Sequence, residues 1–175
     1  HVDTTLSAGA QDVYVGGDFT NDGTFTASTS NVWYSGTTLQ TATGTMTGTS
    51  AFYDLTILNN TATTTFGNDL EVNNEFVATL NNTIIVFPAN ATATMATATI
   101  TGTDGNEIRL WSTASGTEYF LVIENAYTID EVEVGDSNAC SSVGGGITSL
   151  TSTDSGNNVC WTFTAGGQTI VITGT

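Results

Sequence analysis

Along most of this chain apolar and polar residues alternate one by one, as in Asp12-Val13-Tyr14-Val15, Asn31-Val32-Trp33-Tyr34, Asp54-Leu55-Thr56-Ile57, Asp69-Leu70-Glu71-Val72 and Glu131-Val132-Glu133-Val134. Successive side chains of a β-strand point to opposite faces, so a period of two marks strands with one face buried and one wet. Each run is short, and turn signals stand between them: Asn21-Asp22-Gly23, Asn59-Asn60, Asn73-Asn74, Thr103-Asp104-Gly105-Asn106 and Asp154-Ser155-Gly156-Asn157-Asn158. No stretch carries the 3.6-residue period of an amphipathic helix; Thr41 to Ser50 and Ala91 to Thr99 alternate small residues with threonine instead. The pattern predicts an all-β protein, with residues 1–175 forming a single domain.

The strands are also weakly self-similar. Asp12-Val-Tyr-Val-Gly-Gly-Asp18-Phe19 aligns without gaps on Asp69-Leu-Glu-Val-Asn-Asn-Glu75-Phe76, a further copy starts at Glu131-Val-Glu-Val-Gly-Asp136, and a partial one at Asp54-Leu-Thr-Ile-Leu-Asn-Asn60. Strand-turn units that cannot bury a face alone do so by stacking on their neighbours, which is how a β-solenoid builds its core. A β-sandwich, with strands at similar intervals, is the alternative that the pattern leaves open.

Composition sharpens the picture. Only 10% of residues are charged, and threonine fills roughly a fifth of all positions, so the surface is polar without being ionic. A β-branched hydroxyl side chain suits a pleated, half-wet face. Lys and Arg together number 1 against 17 Asp and Glu, for a formal net charge of -16. Such a chain cannot neutralise a row of phosphates, so nucleic acid and anionic lipid are excluded as partners. No run of about 20 apolar residues exists to cross a membrane, so no membrane insertion is expected.

Cys140 and Cys160 stand in no CxxC motif and near no histidine, which argues against zinc or electron shuttling and for a structural disulfide. Disulfides persist outside the cytosol. Three N-x-T sequons, at Asn59, Asn81 and Asn90, suit an exported chain, although an Asn- and Thr-rich sequence also produces them by chance. The start at His1, with neither a basic nor an apolar leader region, reads as a mature form after signal cleavage. The expected location is extracellular, at a cell surface.

Three stretches resemble a known repeat. Gly16-Gly17-Asp18-Phe19-Thr20-Asn21-Asp22-Gly23-Thr24-Phe25, Asn31-Val-Trp-Tyr-Ser-Gly36-Thr-Thr-Leu-Gln40 and Ala51-Phe52-Tyr53-Asp54-Leu55-Thr56-Ile57 are similar to the rungs of parallel β-helices in large microbial surface proteins. Ile129 to Asn138, followed by Asp154-Ser-Gly-Asn-Asn158-Val-Cys-Trp161-Thr-Phe163, resembles the rungs that close such helices. The resemblance spans residues 12 to 163 and implies a β-solenoid; fold analogy alone supplies no activity. In a helix with rungs of about 20 residues, equivalent positions lie about 4.8 Å apart. Cys140 and Cys160 are one such rung apart, so the resemblance implies that they stack and bond to each other.

Catalytic constellations are thin. An N-terminal histidine can help chelate copper, but that brace needs a second histidine and the chain has 1. Pectate-lyase-like enzymes of the resembling fold use an Arg or Lys base beside calcium-binding acids, which leaves Arg109; in Glu107-Ile-Arg-Leu-Trp111 its ordinary role is a salt bridge to Glu107 or Glu118. No paired aspartates with a basic partner offer glycoside hydrolysis. The chain therefore reads as a non-enzyme. The acidic turns at Asp104, Asn106 and Glu107, and at Asp136, Asp154 and Asn157, carry hard oxygen ligands suited to calcium, the one cofactor the sequence suggests; Asx turns that satisfy their own backbone account for them equally well. Trp33, Tyr34, Trp111, Tyr119, Phe120, Trp161 and Phe163 would form a glycan platform if exposed and a core if buried.

Two functional expectations follow. The first is a homopolymer: a structural subunit of an extracellular filament or surface layer that polymerises head-to-tail by β-strand addition, because a truncated solenoid exposes unpaired edges. Residues 1–10, with Val2 and Leu6, and residues 166–175, with Ile170, Val171 and Ile172, are the expected inter-subunit strands. Acid or divalent cations would have to offset the repulsion between copies. The alternative is an adhesin or glycan-binding module of a cell-surface protein.

Overall fold

The computed structural model describes residues 1–165 and forms a parallel β-solenoid of about 7 turns. Two sheets run its length. Sheet I stacks Phe19–Asn21, Gln40–Gly44, Thr63–Phe66, Ile84–Phe87, Ile108–Ser112, Val132–Val134 and Thr153–Asp154. Sheet II stacks Val13–Val15, Asn31–Tyr34, Phe52–Ile57, Leu70–Ala78, Thr92–Thr101, Tyr119–Asp130, Ile147–Leu150 and Trp161–Thr164, with Ser137–Asn138 beside Tyr119–Asp130. A third side is closed at the N-terminal end by Thr5–Ser7 paired with Thr24–Thr26, and one rung later by a short 3-10 turn, Gly48–Ser50.

Alternation in the sequence becomes alternation in space. In Thr92–Thr101 and Thr63–Phe66 the inward positions are buried and the threonines between them half-buried, as a wet pleated face requires. Because the strands are parallel and in register, inward residues form columns along the axis. Val15, Tyr34, Ile57, Ala78, Ile100 and Ile129 make one; Val13, Val32, Leu55, Phe76, Ala98 and Tyr127 make another. Aromatic rings join across rungs: Tyr34 to Phe66 at 6.0 Å, Phe66 to Phe87 at 5.7 Å and Phe87 to Tyr119 at 4.8 Å between centroids.

Rung length is less regular than the resemblance suggests. Partners in sheet I lie 20 residues apart for Val134 and Asp154 but 25 for Ile85 and Leu110, and in sheet II 29 for Ala98 and Tyr127. Extra residues leave at the corners, where no ladder constrains them, and at bulges within sheet II, where the register shifts between Phe52 and Asp54 and between Met95 and Thr97. Gly44 takes such a corner at φ 90°, with a Cβ at that position meeting Asn21 O at 2.1 Å.

The internal repeat is only partly structural. Leu55 and Ile57 share columns with Val13 and Val15, so the partial copy at Asp54 is equivalent to Asp12-Val-Tyr-Val. The gapless alignment of residues 12–19 on 69–76 is not: Phe19 opens a strand of sheet I, whereas Phe76 lies within Leu70–Ala78 and stacks in the column of Val13. A period of two looks the same in either sheet.

Tyr34 and Tyr119 are fully buried, and neither hydroxyl makes a well-formed hydrogen bond. Burial pushes both phenols well above their ordinary value, and the weak contact of Tyr119 with Ser137 does not offset it. Their folded pKa values therefore exceed the unfolded value of about 10, and the stability tied to the neutral form is intact below that pH and lost above it. The urea midpoint should be flat from pH 7 to about 9 and fall above about 10, with Tyr34 and Tyr119 ionising only as the fold opens. Absorbance at alkaline pH that shows all tyrosines titrating before unfolding would contradict this. A second expectation is that Phe87→Ala, emptying the middle of the aromatic column, costs about 3–5 kcal/mol in urea unfolding, while truncating the exposed Phe120 costs under about 1 kcal/mol.

Candidate functional site

In-register stacking decides which side chains meet: a residue's neighbours are those one rung above and below, not those nearby in sequence. Cys140 and Cys160 illustrate it, being disulfide-bonded across one rung with Cα atoms 4.9 Å apart. Arg109 corrects an expectation. It pairs with neither Glu107 nor Glu118 but with Glu133, at 2.9 Å, because Arg109 and Glu133 are in register on adjacent strands. Its guanidinium also lies 5.7 Å from the ring centre of Trp111, and Ser155 Oγ on the next rung donates to the other Glu133 oxygen. The chain's one arginine is thus held in a polar ladder.

The acidic turns are built into the same ladder. Asp136 Oδ1 accepts from Gly116 N at 3.0 Å and from Asn157 Nδ2 at 2.9 Å; Asp154 Oδ1 accepts from Gly156 N at 2.9 Å and Asn158 Nδ2 at 2.6 Å. Asp136 and Asn157 thereby meet one rung apart, with Asp154 ending the strand that leads into the turn of Asn157. Asn106 closes its own turn through N–H to Thr103 O and pairs with Asn82 on the previous rung. Asp104 and Glu107 stand on that turn, Asp104 exposed and Glu107 half-buried. The one group of three His, Cys or carboxylate ligands within 4.8 Å among the described residues is elsewhere: His1, Asp3 and Asp22, all exposed, with the imidazole against Asp3 and 3.5 Å from Asp22.

The sequons divide. Asn59 is fully buried, and its Nδ2 donates to Thr38 O at 2.7 Å and to Gln40 Oε1 at 3.2 Å, so this amide is a core ladder residue and is unsuited to carry a glycan. Asn81 is half-buried, while Asn90 is exposed in a turn at φ 64°. The aromatic residues divide too. Tyr34 and Tyr119 are core; Trp33, Trp111, Trp161 and Phe163 are half-buried, Phe120 is exposed, and they do not form one row. The aromatic pair that does stand out was not singled out by the sequence: Tyr14, 66% exposed, stacks on Trp33 at 6.1 Å on the outer face of sheet II.

The two ends of the solenoid are its remaining unusual feature. At the N-terminal end residues 2–15 are themselves a rung. Val2 N donates to Thr20 O and Val2 O accepts from Asp22 N, which buries Val2 in the core of its own chain. Gly23 lies so close to Thr4 that a Cβ would meet Thr4 O at 2.1 Å, which fixes this rung on the next. Leu6 pairs with Phe25 on its one laddered side and stays 41% exposed, and Val13, later in the same rung, is half-buried. At the other end Trp161 and Phe163 stack at 5.7 Å over Ile147 and Ser149, half-buried, with exposed Val159 beside them. The expected strand with Ile170, Val171 and Ile172 lies outside the described residues.

No family model, curated protein or solved structure matches this chain. Among the described residues no helix is long and apolar enough to cross a membrane. The disulfide closes a loop of 20 residues and should stabilise the fold by about 3 kcal/mol. Replacing both cysteines by serine should lower unfolding free energy by that amount, and alkylation without reductant should leave the intact mass unchanged; two labelled thiols would refute the bond.

Proposed function

We propose that this chain is a structural subunit of an extracellular filament or surface layer, which polymerises head-to-tail through the two ends of its solenoid. The observation that supports it is the pair of open ends. Among the described residues, Thr5–Ser7 and Val13–Val15 at one end, and Trp161–Thr164 at the other, have ladder partners on one side only, and each end leaves core side chains half-covered. Unpaired parallel edges of this kind recruit further strands unless something blunts them. Two ends of one solenoid are different surfaces, so their contact is heterologous and continues into an open chain.

The exposed Tyr14–Trp33 stack favours the second reading, a glycan-binding or adhesive module. The filament reading accommodates the same pair, since Tyr14 lies on the first strand of sheet II, at the end where the next copy would sit. The disulfide is compatible with an exported protein. Calcium at the acidic turns or an acidic habitat would offset a charge of -16 per copy.

Electron microscopy and sedimentation of the native material separate the readings, polymers supporting the first and a monodisperse monomer the second. Deleting Thr169 to Thr175 decides whether that segment takes part in the joint: loss of polymers with the far-ultraviolet β spectrum kept would place it there, and unchanged polymers would leave the contact to Trp161–Thr164.

A further inference from the structure

The columns of sheet II run from one end of the molecule to the other, and they specify how two ends would meet. Tyr127, Thr128 and Ile129 close the ladder that begins with Val13, Tyr14 and Val15. A single bridge, Asp130–Leu150, joins this strand to the next, with Thr148 N donating to Tyr127 Oη and Leu150 N to Asp130 Oδ1 beside it; counted in step from that bridge, Ile147, Thr148 and Ser149 fall opposite Tyr127, Thr128 and Ile129, and their partners are Trp161, Thr162 and Phe163. Val13 and Trp161 thus occupy one inward column, Val15 and Phe163 another, and Tyr14 and Thr162 the outward column between them.

We infer that the joint between copies is an in-register continuation of sheet II, in which Val13–Val15 of one copy stacks directly on Trp161–Thr164 of the next, Tyr14 over Thr162. This rests on the filament reading and adds the register to it. Two further observations fit a second copy as the occupant. The side chains that would meet are the inward apolar ones: Val13 and Val15 on Trp161 and Phe163, with the exposed Leu6 at the adjoining side. A register one residue away would turn these inward groups to solvent.

Sheet I supplies the other. Its first strand, Phe19–Asn21, is met at the open end only by the single bridge from Val2 to Asn21, and the last of its described strands, Thr153–Asp154, pairs with Val132–Val134 alone. Among the described residues both sheets thus present unpaired parallel edges at the same two ends. A copy stacked along the axis covers the edges of both sheets in one contact, whereas a single added peptide strand covers one.

The native disulfide shows how to test the register, because it joins residues one rung apart at a Cα separation of 4.9 Å. Tyr14→Cys and Thr162→Cys, both at exposed positions, should be placed in one chain. Polymers of this variant, mildly oxidised, should give a covalent ladder on a non-reducing gel, with a disulfide-linked peptide joining positions 14 and 162 found by mass spectrometry after digestion. The control pairs Tyr14→Cys with Thr164→Cys; a two-residue offset sets the Cα atoms about 8 Å apart, beyond disulfide reach. The expected result is at least tenfold more ladder from the first pair than from the second. Equal cross-linking, or none from polymers that electron microscopy shows to be intact, overturns the register and leaves the filament reading standing. If the unmodified protein forms no polymers, both fall together. Hydrogen exchange on unmodified protein gives a check without cysteines: amides of Val13–Val15 and Trp161–Thr164 should be protected in polymers and lose that protection on dissociation, and equal exchange in the two states overturns the joint.

Discussion

The structure depends on one constraint, that successive rungs keep their parallel register. Every other feature follows from it. A single rung of this chain has no second layer to bury its apolar side chains, so the core exists only where the next rung covers the last. Columns such as Val32, Leu55, Phe76 and Ala98 are the result, and they hold together only if backbone hydrogen bonds keep equivalent residues opposite one another. A slip of one residue would turn a whole column to solvent, which penalises alternatives steeply even though each strand is short.

That constraint also explains how so acidic a chain folds. At corners and bulges the ladder is interrupted and backbone N–H groups lose their partners. Carboxylates and side-chain amides supply them: Asp18 accepts from Thr41 N at 2.8 Å, Asp69 from Thr92 N at 2.8 Å, Glu71 from Gly48 N at 2.6 Å and Asp54 from Glu75 N at 3.1 Å. Each bond reaches an adjacent rung, 21 to 23 residues away. A charge-assisted bond of this type is stronger than a neutral one, and lysine, which has no acceptor, could not make it. The excess of Asp and Glu is therefore in part a structural requirement of an imperfect ladder. Arg109 belongs to the same scheme, as a cation placed one register step from Glu133.

How much of this was legible in the sequence varied with the range of the interaction. Period-two alternation located the strands because it depends only on neighbouring residues, and most turn signals located corners for the same reason; Asn73-Asn74 did not, since both lie inside the strand Leu70–Ala78, exposed beside a register shift that absorbs the break in alternation. The pairing of Cys140 with Cys160 was legible because the spacing happened to equal one rung. Arg109 was harder: its partner is 24 residues away, and rungs here vary in length, so no fixed period points to Glu133. The same irregularity made residues 12–19 and 69–76 look equivalent when they occupy different sheets. Asn59 carried a sequon whose meaning changed once its side chain proved to be interior, bonded to Gln40 of the previous rung. Tyr14 beside Trp33 was invisible for the reverse reason, since nothing local shows that two residues 19 positions apart share an outer column.

A solenoid of this design has a thermodynamic weakness at its ends that a closed barrel lacks. Interior rungs bury both flanks of their apolar side chains, while the terminal rungs bury one, so the ends contribute entropy cost without full return. Two responses exist: a cap with a polar outer face, or another copy. Among the described residues each end includes incompletely covered apolar or aromatic side chains, Leu6 and Val13 at one and Val159, Trp161 and Phe163 at the other, beside polar ones such as Thr5, Ser7, Thr153 and Asp154. Completing the burial of one such side chain is worth some fraction of the about 1.5–3 kcal/mol available for full burial, and several are grouped at each end. Repulsion between acidic copies opposes the contact, but it is spread along the length of each molecule and screened beyond about 10 Å at ordinary ionic strength. The apolar gain is concentrated at the contact itself. In the proposed filament, growth along the axis would set a short-range attraction at the joint against a long-range repulsion that salt weakens, and that balance would favour extension end to end over lateral clumping of the charged, threonine-covered sides.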